Sequence, residues 1–180
     1  RLQCYEGIDV AQAVYEWDYS RQLLHLRTAE AVGRASGADA EQLEDELYSP
    51  KFLVRRPLLQ AVDYGDGPPP ILLIDEVDHA DEPFEAFLLE YLGEYQVSIP
   101  ELGTVRANVP PVTILTSNRT REIHDAVKRR CLYHWVAFPD AARELQILQR
   151  RVPGAGEELA RQIVAFVQQL RAIELYKLPG

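Results

Sequence analysis

Apolar and polar positions change rhythm several times along the chain, and each rhythm predicts an element. Residues 2–4 read as a short opening strand. A polar, aromatic stretch, YEWDYS, leads into a helical run over about residues 21–35, punctuated by Gly37 and Asp39. Leu43 and Leu47 repeat at helical spacing in a second segment over about 41–47. A third is expected over 57–62, where Pro57 occupies a first turn that needs no N–H from it. YGDGPPP breaks the pattern. The run Ile71, Leu72, Leu73, Ile74 then stops abruptly at Asp75-Glu76, as a strand buried on both faces does when it surfaces at its carboxyl end.

Beyond Pro83 the period is helical: Phe84, Phe87, Leu88, Tyr91 and Leu92 fall at i, i+3, i+4, i+7 and i+8, one face of a helix. Tyr95, Val97 and Ile99 alternate with polar residues, 100–103 can turn and 104–107 can return, which predicts a hairpin projecting beyond the core. Residues 112–115 form a second apolar strand, again ending in small polar residues, Thr116-Ser117-Asn118, and a third strand is expected over 133–138. After Pro139-Asp140 only helical patterns remain. One helix, capped by Asp140, runs to about Arg151; after PGAG another begins at Glu157 with the stripe Leu159, Ile163, Phe166, Val167 and Leu170. The expected organisation is an α/β part over 1–139 and a small all-helical part over 140–180.

Composition narrows the class. With 180 residues, 47% hydrophobic and 26% charged, the chain can bury a core and is neither disordered nor fibrous. Its net charge of −9 opposes nucleic-acid binding as a bulk property, leaving room only for a local basic patch. Cys4 and Cys131 form no CxxC, so neither a disulfide framework nor a zinc ribbon is written here, and a reducing compartment fits. No run reaches the ~18 apolar residues of a membrane helix, and the opening RLQCYEGID lacks a signal-peptide layout, so a cytoplasmic protein is expected. The chain starts at Arg1 and contains no methionine, which predicts an internal piece of something longer.

Candidate chemistry gathers at the strand ends. Two adjacent carboxylates at the tip of a buried strand suit nucleotide hydrolysis: Asp75 can hold Mg2+ while Glu76 orients and deprotonates water. The alternative is a merely solvated strand end. In a parallel sheet, neighbouring tips lie close, so Asn118 can bring its amide to the same place. Arg129 and Arg130 close a short helix and either pair with phosphate across a subunit boundary or form an ordinary solvated helix end. Seven carboxylates and no Lys or Arg lie between Asp75 and Glu90, against five Lys or Arg between Arg119 and Arg130; these are opposite faces of a ring contact or solvated surfaces. His25, His79, His124 and His134 show no ligand spacing with the cysteines, Cys131 reads as a small buried residue, and Trp17 and Tyr19 pack on the sheet or meet a client.

ILLIDEVD resembles the Walker B strand of AAA+ ATPases, LTSN their sensor 1 strand, and HDAVKRRCLYHWVAFPD the stretch that carries the arginine finger and leads into the helical lid; the likeness is to the MoxR branch. YEWDYSRQLLHLR and LRAIELYKLPG further resemble the subgroup linked to carbon monoxide dehydrogenase maturation. The resemblance implies a parallel-sheet P-loop NTPase (AAA+) core, truncated at its N-terminus, followed by a helical lid. It makes Asp75 the magnesium-associated carboxylate, Glu76 the catalytic base, Asn118 the sensor 1 residue, and Arg130, with Arg129 as the alternative, the finger. It also implies ATP and Mg2+, a homo-oligomeric ring, often a hexamer, a von Willebrand A-type partner, and a metalloenzyme client that the ATPase remodels as a chaperone.

One departure matters. GxxxxGK[ST], the loop that cradles phosphates, is absent: the three lysines follow Pro50, Val127 and Tyr176. In the family this loop lies just upstream of the strand that residues 2–4 resemble, and the third lid helix with its sensor 2 residue is also missing, Lys177 being a weak substitute. These 180 residues alone are therefore expected to be inactive. Two other functions stay open: a non-catalytic AAA+-fold domain kept for assembly, and a clamp-loader or helicase-like DNA machine, which the charge disfavours.

Overall fold

In chain order the first elements are β1 (Leu2–Gln3), α1 (Val10–Val14), β2 (Tyr15–Trp17), α2 (Tyr19–Ala31), α3 (Asp39–Leu47), β3 (Leu53–Arg55) and α4 (Pro57–Val62). They are followed by β4 (Ile71–Asp75), α5 (Glu82–Glu94), β5 (Gln96–Ile99), β6 (Gly103–Arg106), β7 (Val112–Leu115) and α6 (Asp125–Lys128), and then by α7 (Ala141–Arg151) and α8 (Glu157–Arg171). The computed structural model describes residues 1–33 and 39–173 and divides into one unit over Arg1–Leu132 and a second from Tyr133 onward. Gly37 and residues 174–180, Lys177 included, lie outside the described residues. The division falls a few residues ahead of the boundary expected at 139.

The first unit is α/β, built on a three-stranded parallel sheet in the order β1-β4-β7. Register pairs Leu2 with Ile74 on one side of β4, and Ile71 with Val112 on the other. Leu72 and Ile74 are buried, whereas Ile71, Val112 and Ile114 are exposed. The expectation of a strand covered on both faces is thus corrected: among the described residues one face of β4 is fully packed and the other, with Ile71 exposed and Leu73 half-buried, only in part. The fully packed face meets Leu58 and Leu59 of α4, Phe84, Leu88 and Tyr91 of α5, and Val14 of α1 in one core cluster. Each such side chain removed from water contributes about 1.5–3 kcal/mol, which is what holds the short strands together. Inside this core the Tyr91 hydroxyl donates to the Leu58 carbonyl at 2.9 Å, and burial raises its pKa.

Some features went unforeseen, the helix α1 among them. YEWDYS contains a strand: β2 pairs antiparallel with β3, Tyr15 opposite Arg55 and Trp17 opposite Leu53. The hairpin β5-β6 forms in the expected place, but it does not project, because Val97 and Ile99 are buried in the core cluster. The helix expected over 21–35 spans Tyr19–Ala31, its start set by Asp18, whose carboxylate accepts from the Arg21 N–H at 3.0 Å.

The second unit is a helical pair. Asp140 caps α7, accepting from the Arg143 N–H at 2.7 Å. Glu144 of α7 binds Arg171 of α8 at 2.7 Å, with the arginine side chain only 8% exposed, and also accepts from Gln168 at 2.7 Å. The stripe predicted for α8 is corrected: Leu159, Ile163 and Phe166 are exposed and Val167 and Leu170 half-buried, while the buried residues of the helix are Ala160 and Val164. The strand expected over 133–138 does not form. A strand needs a neighbouring edge for its backbone groups, and none of the sheets pairs with this stretch. Tyr133, Trp135 and Val136 are exposed, and Phe138 lies under the Arg171 guanidinium, 4.3 Å from the ring centroid. Among the described residues, no helix is long and apolar enough to cross a membrane.

Candidate functional site

Because β1, β4 and β7 run parallel, their carboxyl ends surface together, and the polar residues that terminate each run meet there. Asp75 ends β4. One carboxylate oxygen accepts from the Thr116 hydroxyl, beyond β7, and the other is bound by the Arg1 guanidinium, ahead of β1. The same Thr116 oxygen accepts from the Glu76 N–H at 3.0 Å, so one hydroxyl joins both acidic residues. The Thr116 hydrogen bond lowers the Asp75 pKa, burial opposes it, and Arg1 lowers it further.

Glu76 sits at φ 55°, in the left-handed region that a side chain with a Cβ avoids at a cost of about 1–2 kcal/mol. Its surroundings hold it there. Thr116 takes its N–H, Gln3 donates to Oε2 at 2.7 Å, and Asn118 donates to Oε1 at 3.2 Å. Strained residues fixed from several sides gather at functional sites. Glu76 is such a residue.

Asp78, just beyond, is 3% exposed and organises the opposing loop. It accepts from the Asn118 N–H at 3.2 Å, from the Thr120 N–H at 2.8 Å, and from the Thr120 hydroxyl at 2.6 Å. Burial pushes the Asp78 pKa up, but the Thr120 and Asn118 hydrogen bonds outweigh it and the net direction is down. Glu85 on α5, 2% exposed, binds the Arg121 guanidinium and accepts from the His124 N–H at 2.9 Å. The acidic run and the basic run therefore meet, in part, within one chain. The alternatives of a purely intersubunit or purely solvated charge pattern do not describe Asp78, Glu85 or Arg121.

The structure brings together Asp75, Glu76 and Asn118, and it keeps Arg129 and Arg130 apart from them. Both arginines are exposed at the end of α6; the Arg130 guanidinium donates to the Ala126 carbonyl at 3.2 Å, and the Arg129 N–H donates to the Asp125 carbonyl at 2.9 Å while its side chain makes no hydrogen bond or ion pair among the described residues. Thr116, Asp78 and Gln3 are the site residues missed by reading the strands alone. A signal for Thr116 existed in its place two residues before Asn118. Nothing in the pattern distinguished buried Asp78 from its exposed acidic neighbours.

No group of three or more His, Cys, Asp or Glu among the described residues is placed to hold a metal ion alone. Mg2+ asks less when waters and phosphates complete its shell, and the carboxylate of Asp75 beside the hydroxyl of Thr116 has the hard oxygen chemistry for that role. A triphosphate is not matched: the chain has no Gly-Lys loop to surround it. No protein-family profile matches the chain, and no curated protein and no solved structure matches it either.

Proposed function

We propose that these residues form the water-activating half of a Mg2+-dependent ATPase of the AAA+ type, with the parallel sheet as part of a P-loop NTPase core. The carrying observation is the convergence of Asp75, Glu76 and Asn118 at adjoining strand tips, joined through Thr116. Glu76 is the general base. Its Oε1 faces the Asn118 amide, so a nucleophilic water in that place has a proton acceptor and a neutral donor beside it. Asp75, its charge favoured by Thr116, would hold Mg2+, which would supply charge shielding to the phosphates. Arg130, or Arg129, serves a neighbouring copy in a ring, where an exposed guanidinium can reach a phosphate. The work done with that energy is remodelling of a metalloenzyme client beside a von Willebrand A-type partner, in the cytoplasm, as in the MoxR branch.

The activity needs a phosphate cradle that these 180 residues do not supply. The test is Mg2+-dependent ATP hydrolysis by the protein expressed from its complete reading frame, compared with Glu76→Gln. Hydrolysis lost by ~100-fold or more with ATP binding retained is the expected outcome. The 180-residue chain itself should not turn over. Equal rates for Glu76→Gln and wild type would remove Glu76 from the chemistry.

A second reading, a non-catalytic AAA+-fold assembly domain, draws on one observation: Arg1 and Gln3 already occupy oxygens of Asp75 and Glu76. It predicts no hydrolysis in the complete protein, with or without its partners.

A further inference from the structure

A cleft of about 680 Å³ lies in the first unit between the α1-β2 segment, α5 and the β5-β6 hairpin, away from the strand tips. Its walls are aromatic. Tyr15 and Trp17 come from β2, edge to face at 6.3 Å, and Phe87 and Tyr91 come from α5, 6.2 Å apart; Trp17 and Tyr91 are buried behind, so the half-buried Tyr15 and Phe87 present the accessible rings. Two carboxylates, Glu90 and Glu101, also line it, and no lysine or arginine does. Glu16, a third, is already held by Arg56 at 2.6 Å. Glu90 and Glu101 are exposed, and their carboxylates have no hydrogen bond or ion pair among the described residues.

The backbone makes this arrangement durable. β2 is fixed by its pairing with β3, and Trp17 is wedged against Tyr48 at 5.4 Å. Glu101 lies in the turn of a hairpin whose Val97 and Ile99 are anchored in the core. The Tyr15 phenol feels this placement: burial raises its pKa first, and the Glu101 charge raises it further. The cleft thus joins π faces, which attract cations, to carboxylates without counterions. Side chains that satisfy both at once are those of arginine and lysine, arginine better because its plane stacks while its edge pairs with carboxylate.

We propose that this cleft docks an arginine-bearing, positively charged peptide segment of a partner protein, the guanidinium lying against the half-buried rings of Tyr15 and Phe87 and pairing with Glu90 and Glu101. Charge complementarity selects this occupant, since a purely apolar segment would leave both carboxylates unused and an acidic one would be repelled. No residue of the strand-tip cluster takes part, so the proposal stands or falls separately from the nucleotide reading.

The probe is an acetylated, amidated Gly-Arg-Gly-Arg-Gly peptide, with the lysine and glutamine versions as comparisons. Trp17 reports the contact by its fluorescence once the other tryptophan is removed by Trp135→Phe. The expected result is a saturable change with the arginine peptide, weaker with lysine and absent with glutamine. The double variant Glu90→Gln/Glu101→Gln should weaken binding about tenfold, two exposed pairs at up to about fivefold each less their overlap. Both positions are exposed, and an unchanged far-ultraviolet circular dichroism spectrum confirms that the variant folds. No saturable change, equal binding of the glutamine peptide, or full affinity in the double variant would overturn the proposal. So would sedimentation showing a dimer that the double variant dissolves, because the cleft would then belong to a second copy of the chain.

Discussion

Replacing Asp78 by alanine tests whether the strand-tip site is built by the buried acid behind it. The carboxylate takes three hydrogen bonds, from the Asn118 N–H, the Thr120 N–H and the Thr120 hydroxyl, in a position only 3% exposed. Hydrogen bonds to a charged group contribute about 1.5–3 kcal/mol each, and members of one network do not add fully. Asp78→Ala should therefore cost about 3–4 kcal/mol, leaving two backbone donors without their acceptor. Asp78→Asn, which can keep the two Thr120 bonds but turns a donor toward the Asn118 N–H, should cost about half as much. Urea unfolding followed by Trp17 emission in a Trp135→Phe background reads the first unit directly, and at a slope of about 2 kcal/mol/M the alanine variant should lose about 1.5–2 M in midpoint. pH supplies a second reading. Because the folded pKa of Asp78 is depressed, its contribution is fully present above the ordinary carboxylate pKa of about 3.9 and is lost as pH falls through the lower folded value. Below that point the gap between wild type and Asp78→Ala should narrow, because the charge-linked part of the contribution is gone. A midpoint change under about 0.5 M at neutral pH, or a difference that persists undiminished in acid, would refute the assignment.

Arg121→Ala should cost about 2–3 kcal/mol in the same assay, since it leaves the buried Glu85 carboxylate with only the His124 N–H, and Glu85→Gln should cost less because no charge is stranded. Cys4, buried and pushed up to about 11 by desolvation and then by Asp75, Asp78 and Glu76, should resist iodoacetamide at pH 8 while half-buried Cys131 is labelled; mass-spectrometric mapping in which Cys4 reacts as fast in native protein as in urea would contradict this.

Much of the architecture was legible along the chain because it rests on local periodicity. Ile71 to Ile74 announced a strand, the 3.6-residue spacing of Phe84, Phe87, Leu88 and Tyr91 a helix, and Asp140 a cap, and these elements lie where their patterns put them. The pairing of Asp75 and Glu76 with Asn118 followed from one further rule, that parallel strands surface at the same end. Where local pattern was read without a partner it failed. Residues 133–138, expected as a strand, find no edge among the described residues, while the stretch around Tyr15 and Trp17, read only as polar and aromatic, becomes a strand because β3 lies opposite it.

Burial was the other quantity decided only in three dimensions. Asp78, Asp81 and Glu82 look alike in a run of acids, yet only Asp78 is enclosed, because the loop after β7 folds over it and offers three donors. Likewise the aromatic cleft assembles Tyr15 and Trp17 with Phe87, Tyr91 and Glu101, segments some seventy or more residues apart that no window along the chain can join. Which residues can be helical or extended follows from near neighbours and period. Which of them lose water, share a proton or face one another depends on contacts between distant segments, and these exist only once the chain has closed on itself.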